Sequence, residues 1–254
     1  MQVIASYSIK GGVGKTAAIV NLAHVAAQAG ARVLLWDIDP QGAASFYFRI
    51  KPRVKGGSRQ LLRKRDVDPA IKGSDFERLD ILPADFSYRY FDLQLEEAGK
   101  PRRRIGQILD PLAGQYDIVL LDCPPSISLL SESIFRAADA LLVPVIPTPL
   151  SARTLEQLVS FSGSPKFGKA EILPFFSLAD RRKKLHREAM QELPAQWPGL
   201  FLNTVIANSS IVEQMGIRRA PVPAYAPASP PAKAYAALLE EIILRLAAKS
   251  KTSG

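Results

Sequence analysis

Lys10-Gly11-Gly12-Val13-Gly14-Lys15-Thr16 is the stretch that decides the fold of this 254-residue chain. It follows a short β-branched and aromatic run over residues 3–7 and opens a helical pattern over residues 15–29. Glycines at 11, 12 and 14 let the backbone turn tightly, so that its N–H groups converge on phosphate oxygens. The dipole at the start of the following helix adds to that attraction. Lys15 supplies a point charge for the β- and γ-phosphates of a nucleotide, and the Thr16 hydroxyl is the expected Mg²⁺ ligand. A glycine-rich turn between strand and helix can be a plain connection, but the complete Gly-x-Gly-Lys-Thr ending in this context marks a phosphate cradle.

Outward from the loop, the helical pattern carries Ala17, Ala18, Val20, Leu22, Ala23 and Val25, and Gly30 is a natural stop. Residues 32–37 read as the next strand, with Val33, Leu34, Leu35 and Trp36 in continuous apolar succession. Such runs mark strands covered on both faces of a parallel sheet. Residues 118–121, 141–146 and 205–207 repeat the signal, and residues 79–82 and 172–176 carry it more weakly. Helical patterns lie between them at 105–112, 129–137, 155–161, 182–193 and 234–247. The alternation predicts an α/β fold, a doubly wound and mostly parallel sheet flanked by helices with right-handed crossovers. No internal repeat interrupts it. The Pro/Ala-rich stretch at 221–231 reads as an ordered surface loop, and residues 1–254 read as one domain.

The chain is 47% apolar, enough for a substantial core. No apolar stretch has the length of a membrane span, and the N-terminus enters a strand pattern without a leader. Cys123 is the single cysteine, which excludes an internal disulfide or a cysteine-based cluster within one chain. A cytoplasmic location is expected. The net charge of +9 favours polyanionic partners. It is clustered: Lys51, Arg53, Lys55, Arg59, Arg63, Lys64 and Arg65 occur with no acid among them, followed by Arg102, Arg103 and Arg104. A second group comprises Arg181, Arg182, Lys183, Lys184 and Arg187, then Arg218 and Arg219.

The sequence KGGVGKT resembles the deviant Walker A signature of the ParA/MinD family of ATPases. Residues 34–42 (LLWDIDPQG) are similar to that family's switch I, and residues 116–126 (YDIVLLDCPPS) to its Walker B strand and switch II. The resemblance, which runs through most of the chain, implies a P-loop nucleotide-binding fold with ATP and Mg²⁺ as cofactors. Lys10 would reach across an ATP-sandwich homodimer to the partner's phosphates, a charge-neutralising role worth about 10³ to 10⁵ in rate when an arginine finger plays it. Asp39 would orient the attacking water, and Lys15 would hold the phosphates. Thr16 and Asp122 would hold the metal, with Asp37 in support. Gly11, Gly12, Val13, Gly14, Lys15, Thr16 and Ala17 would line the phosphates, and Asn208 would lie near the adenine.

Two departures from the family pattern stand out. Ala17 occupies a position where a second hydroxyl usually bonds the α-phosphate, and residues 145–150 lack the commoner acidic sequence after their strand. Cys123, in switch II, is expected to be a packing residue.

Arg181, Arg182, Lys183, Lys184, Arg187, Arg218 and Arg219 coincide with the region that binds DNA non-specifically in ParA proteins. The segment at 51–65 could be a solvated loop, a further DNA contact or a partner site. The expected activity is therefore weak, Mg-dependent ATP hydrolysis. It is coupled to nucleoid DNA binding and stimulated by a ParB-like or cargo-adaptor protein, to partition or position a cargo. Starting at its first strand, the chain is not expected to bind an operator. A MinD-like membrane cycle is the alternative, but residues 249–254 offer no apolar face for it.

Overall fold

The structure is a computed structural model that describes residues 1–64 and 67–252. Seven strands form one sheet: β1 (Gln2–Ser6), β2 (Val33–Asp37), β3 (Lys72–Gly73), β4 (Leu79–Leu82), β5 (Ile118–Asp122), β6 (Ala140–Val145) and β7 (Glu171–Phe176). Their order is β3-β4-β2-β5-β1-β6-β7, and every neighbouring pair is parallel except β3 with β4. The expected doubly wound sheet is therefore present, with one short antiparallel edge strand. The parallel order requires crossovers, and helices supply them.

The helices are α1 (Lys15–Gln28), α2 (Ala43–Tyr47), α3 (Gly57–Lys64), α4 (Phe91–Glu97), α5 (Arg104–Leu109), α6 (Leu129–Ala137), α7 (Pro149–Ser162) and α8 (Lys184–Gln196). Three short ones follow, α9 (Ser210–Glu213), α10 (Met215–Arg218) and α11 (Val222–Tyr225), and then α12 (Pro230–Thr252). Among the described residues no helix is long and apolar enough to cross a membrane.

Strand β2 explains why the apolar runs were diagnostic. Leu34 and Trp36 face one layer with Leu61, Phe91, Ile105 and Phe135, while Val33 and Leu35 face the other with Ile19, Leu22, Phe48 and Tyr235. All five residues of β2 are buried. Each fully buried Leu or Val side chain contributes about 1.5–3 kcal/mol relative to exposure, so a charge on either face of this strand would be rejected. The first layer comes from α3 to α8. The second comes from α1, α2, α10, α11 and α12.

Several expected elements shift. Residues 205–207 do not form a strand: Leu202 and Ile206 donate their N–H groups to Pro174 and Phe176 of β7, at 2.8 Å each. Between them the Glu241 carboxylate takes the N–H groups of Asn203 at 2.6 Å and Thr204 at 3.0 Å, which pulls the backbone out of register. Only an isolated bridge from Ala179 to Ala207 remains. The helix expected at 105–112 stops at Leu109 because Pro111 sits at the head of a separate 3₁₀ turn, Asp110–Leu112. Pro149 starts α7 six residues before the expected position, since a proline at the first turn forfeits no helix hydrogen bond. Within the stretch read as loop at 221–231, residues Val222–Tyr225 are helical and α12 begins at Pro230.

Candidate nucleotide site

Strand register assembles the site. Ser6 of β1 lies opposite Asp122 of β5, and Asp122 lies opposite Asp37 of β2, so three polar residues form one row across adjacent strands. The row falls at the carboxyl ends of the strands, where ligands of parallel sheets bind. The glycine loop leaves β1 directly above it.

Two glycines of the loop are conformationally required. Gly12 and Gly14 have φ of 72° and 95°, values that L side chains adopt only with strain. At Gly14 a Cβ would stand 2.7 Å from Ser177 Oγ, so the loop lies directly against the end of β7. Gly11 and Gly12 face solvent, and Val13 is buried beneath them. Lys15 is buried, and its Nζ folds back to donate to the Lys10 carbonyl at 3.5 Å. Burial lowers its pKa, against the opposing pull of Asp122, Cys123 and Asp39. Ser6 Oγ donates to the Lys15 carbonyl at 3.3 Å, tying the loop to the sheet. Lys10 is half-buried, and among the described residues its ammonium has no salt-bridge partner.

The aspartates divide by what holds them. Asp37 Oδ2 accepts from the backbone N–H and the hydroxyl of Ser45, each at 2.7 Å, which anchors the start of α2. Ser45 Oγ in turn accepts from Ala84 N–H at 2.9 Å. Asp37 Oδ1 is buried without a partner, and burial raises the pKa of the group to about 7. Asp122 is fully buried, and among the described residues neither oxygen has a hydrogen-bond partner of good geometry. Desolvation and then the Asp37 charge push its pKa well up, although Thr16 and Lys15 nearby favour its ionised form. Asp39 is half-buried and accepts from Gln41 N–H at 2.9 Å in a tight turn. The two orphaned Asp122 oxygens beside the Thr16 hydroxyl suit a hydrated Mg²⁺, which takes one or two carboxylates and substrate phosphate oxygens. Cys123 is buried with its thiol pKa raised, as fits a packing residue.

On the far side of the loop, Asn208 is exposed, and its N–H donates to Ala179 O at 2.9 Å. Ala179 lies two residues beyond Ser177, so Asn208 stands at the same sheet edge as Gly14. Asn21 fastens this region to α1: its Oδ1 accepts from Val222 N–H at 2.7 Å and its Nδ2 donates to Ala17 O at 2.7 Å. Ala17 is half-buried and adds no side-chain donor. Ser6, Asn21, Ser45 and Ser177 were missed from the sequence, because isolated serines and an asparagine carry no spacing signal.

The basic groups are dispersed. Arg181, Arg182, Lys183, Lys184 and Arg187 are exposed around the start of α8, which packs on one face of the sheet. Arg218 and Arg219 end α10, which packs on the other. Arg182 is committed to Asp180 through two bonds of 2.9 Å, and Arg187 donates to the carbonyls of Arg181 and Arg182. The Arg219 guanidinium lies 4.6 Å from the Phe46 ring centroid. Arg104, read with its neighbours as part of a surface cluster, is buried and donates to the carbonyls of Ala98 and Gly99 at the end of α4. Arg65 lies outside the described residues.

A glycine loop opening a helix beside a row of carboxylates at the strand ends defines a P-loop nucleoside-triphosphatase. The family model described as "AAA domain" matches residues 1–164. The chromosome partitioning protein ParA of Caulobacter vibrioides is 30% identical over 256 residues, covering 96% of this chain and 95% of that one. The sporulation initiation inhibitor protein Soj of Bacillus subtilis is 29% identical over 250 residues, covering 95% and 98%. A putative plasmid partition protein from Borrelia burgdorferi B31, solved bound to AMPPNP, superposes with a TM-score of 0.81 at 20% identity, covering 96% and 99%. The chain belongs to the ParA/MinD-type ATPases.

Proposed function

We propose that this chain, acting as one domain over residues 1–254, is a ParA-type ATPase that partitions or positions a cargo through a nucleotide-switched homodimer. The observation that carries the reading is the half-buried Lys10, without a salt-bridge partner among the described residues, at the front of a loop whose other lysine, Lys15, suits the phosphate cradle. One lysine satisfies the phosphates within a chain. A second one, held at the rim, suits phosphates presented by a partner copy.

In this reading the backbone of residues 11–16 binds the phosphates of ATP and Lys15 neutralises their charge. Thr16 and Asp122 would hold Mg²⁺, which when bound would supply charge neutralisation at the transferring phosphoryl group. Asp37 sets the field around Asp122 and positions α2. Asp39 orients the attacking water by accepting a hydrogen bond from it, and Lys10 stabilises charge in the partner's site. Asn208 contacts the adenine.

Arg181, Lys183, Lys184 and Arg218 then meet DNA phosphates, with Arg182, Arg187 and Arg219 in support. Backbone contact of this kind is sequence-indifferent, with each phosphate neutralised adding about 0.9 to the log–log salt slope. Hydrolysis stimulated by a ParB-like or cargo-adaptor partner releases the dimer. The protein would work in the cytoplasm on the nucleoid.

The test pairs Lys10→Ala turnover with duplex DNA gel shifts in ATP, ADP and no nucleotide. Lys10→Ala should retain ATP binding and lose hydrolysis, and DNA binding should require ATP and weaken with salt. Unchanged turnover, or equal DNA binding in every nucleotide state, would overturn the switch.

A further inference from the structure

The basic segment at 51–63 is not absorbed by that mechanism, and its surroundings give it a chemistry of its own. Val54, Leu61 and Leu62 are buried, so the segment is a folded part of the molecule. Asp85 Oδ2 accepts from Val54 N–H at 2.8 Å. Ser58 N–H donates to Ser87 Oγ at 2.8 Å, and Ser58 Oγ donates to the Ser87 carbonyl at 3.1 Å. These bonds pin the start of α3 to the 3₁₀ turn Phe86–Tyr90.

That turn displays aromatic rings to solvent: Phe86 is 66% exposed and Tyr90 45%. The Arg89 guanidinium lies over both, 3.9 Å from the Phe86 centroid and 4.5 Å from that of Tyr90. At the other end of α3, Arg59, Arg63 and Arg104 line a groove of about 450 Å³ against α4, with Gln94 and Glu97 on its wall. Lys51, Arg53, Lys55 and Arg63 are exposed, the first three just before α3 and Arg63 within it. Three of the described carboxylates beside it are engaged: Asp85 by Val54 and Ser87, Glu97 by Arg59 at 3.0 Å, and Asp92 by Leu130 N–H at 2.8 Å.

From this juxtaposition we infer that residues 51–63 and 86–90 form a binding surface for single-stranded nucleic acid, separate from the basic groups of α8 and α10. Cations tracking a backbone beside exposed rings and a stacked guanidinium are the elements of such sites, where bases stack without sequence readout. Helix α3 has 8 residues. It is therefore about 12 Å long. A duplex keeps its bases stacked inward and gains nothing from Phe86 and Tyr90.

The experiment is fluorescence anisotropy of the full chain, without nucleotide, with a labelled 12-nucleotide oligothymidine. An oligouridine and a duplex of equal length run beside it. Binding of the single strands over the duplex is expected. With Lys51, Arg53, Lys55 and Arg63 each meeting a phosphate, the log–log salt slope should be about −3. The K51E/R53E/K55E variant should bring that slope to about −1 or shallower. Phe86→Ala and Tyr90→Ala should each weaken single-strand binding by about 5- to 150-fold, the range of one lost stacking contact, with thermal melts unchanged because both rings are exposed. An R181E/K183E variant should bind the single strand as the parent does. The proposal is overturned if the duplex competes equally, if both ring truncations leave single-strand affinity unchanged, or if R181E/K183E alone abolishes it. A preference for oligouridine over oligothymidine, or the reverse, identifies RNA or DNA as the natural strand within the same proposal and supports it.

Discussion

Asn21 is the residue whose removal most directly tests how the nucleotide end of the molecule is assembled. It is fully buried in α1. Its Oδ1 takes the Val222 N–H at 2.7 Å, and its Nδ2 reaches the Ala17 carbonyl at 2.7 Å and Met215 Sδ at 3.3 Å. Asn21→Leu keeps the bulk but leaves the Val222 N–H buried without an acceptor, at a cost of about 1–3 kcal/mol. The Ala17 carbonyl retains its helix hydrogen bond and adds little. Asn21→Ala adds a small cavity to the same loss, for roughly 2–4 kcal/mol in total.

Urea denaturation followed by circular dichroism measures both. The loosened stretch is continuous with Asn208, so ATP affinity should also fall about tenfold, or about 1.4 kcal/mol. Tripolyphosphate, held by residues 10–16 alone, should bind as before. An Asn21→Leu variant within about 0.5 kcal/mol of the parent, a difference typical of neutral surface changes, would refute the reasoning. So would equal losses for ATP and tripolyphosphate.

Three further outcomes follow from the site. In the metal-free protein Asp37 titrates near 7 rather than 3.8, and Asp122 is raised as well, so the folded state holds these protons more tightly than the unfolded chain. For Asp37 that stabilisation is complete below about pH 3.8 and lost as pH climbs through about 7, and for Asp122 it likewise fades as pH rises above the ordinary carboxylate range. The stability gain of Asp122→Asn over the parent should therefore grow from acid to neutral pH in parallel melts; a pH-independent difference contradicts it. Gly14→Ala meets both a φ of 95° and a Cβ 2.7 Å from Ser177 Oγ. The backbone term alone costs about 1–2 kcal/mol, so adding Ser177→Gly should recover part of the lost melting temperature and not all of it. Ser45→Ala removes a donor from Asp37 and an acceptor from Ala84 N–H, and should cost about 2–4 kcal/mol by urea titration; a loss below about 1 kcal/mol would show that water replaces the hydroxyl.

The parts of this molecule legible from sequence are those whose physics is local. Residues 10–16 announce themselves because positive φ demands glycine at 12 and 14, and β2 and β5 because burial on both faces forbids polar residues until the terminal aspartate. What escaped depends on long-range pairing. Ser6 matters only because register sets it beside Asp122, and Ser177 only because β7 ends against Gly14. Residues 205–207 had the composition of a strand, but Glu241, some 35 residues on in α12, takes the N–H groups that would have carried the ladder. Helix α3 was hidden by its charges: Ser58, Leu61 and Leu62 carry its buried side, and seven surrounding cations obscured the period. Arg104 shows the converse, a cation in a basic run that serves as a C-terminal cap for α4.

The two buried aspartates look equivalent in sequence, each ending an apolar strand, yet their hydrogen bonds assign them different work. Asp37 spends one oxygen on two Ser45 donors and so carries the connection from β2 through α2 to Ala84. Asp122 makes no such bond, and its burial costs stability that only a ligand can return. Asp37→Ala should therefore behave as a structural lesion, losing about 2–4 kcal/mol through stranded donors at Ser45 before any effect on turnover is counted. Asp122→Ala should leave the apo fold as stable as the parent or more so at neutral pH, and abolish Mg²⁺-dependent hydrolysis. Denaturation midpoints and turnover measured on both variants separate the roles. If Asp122→Ala destabilises as much as Asp37→Ala, the carboxylate has a structural partner and the assignment of the metal to it fails.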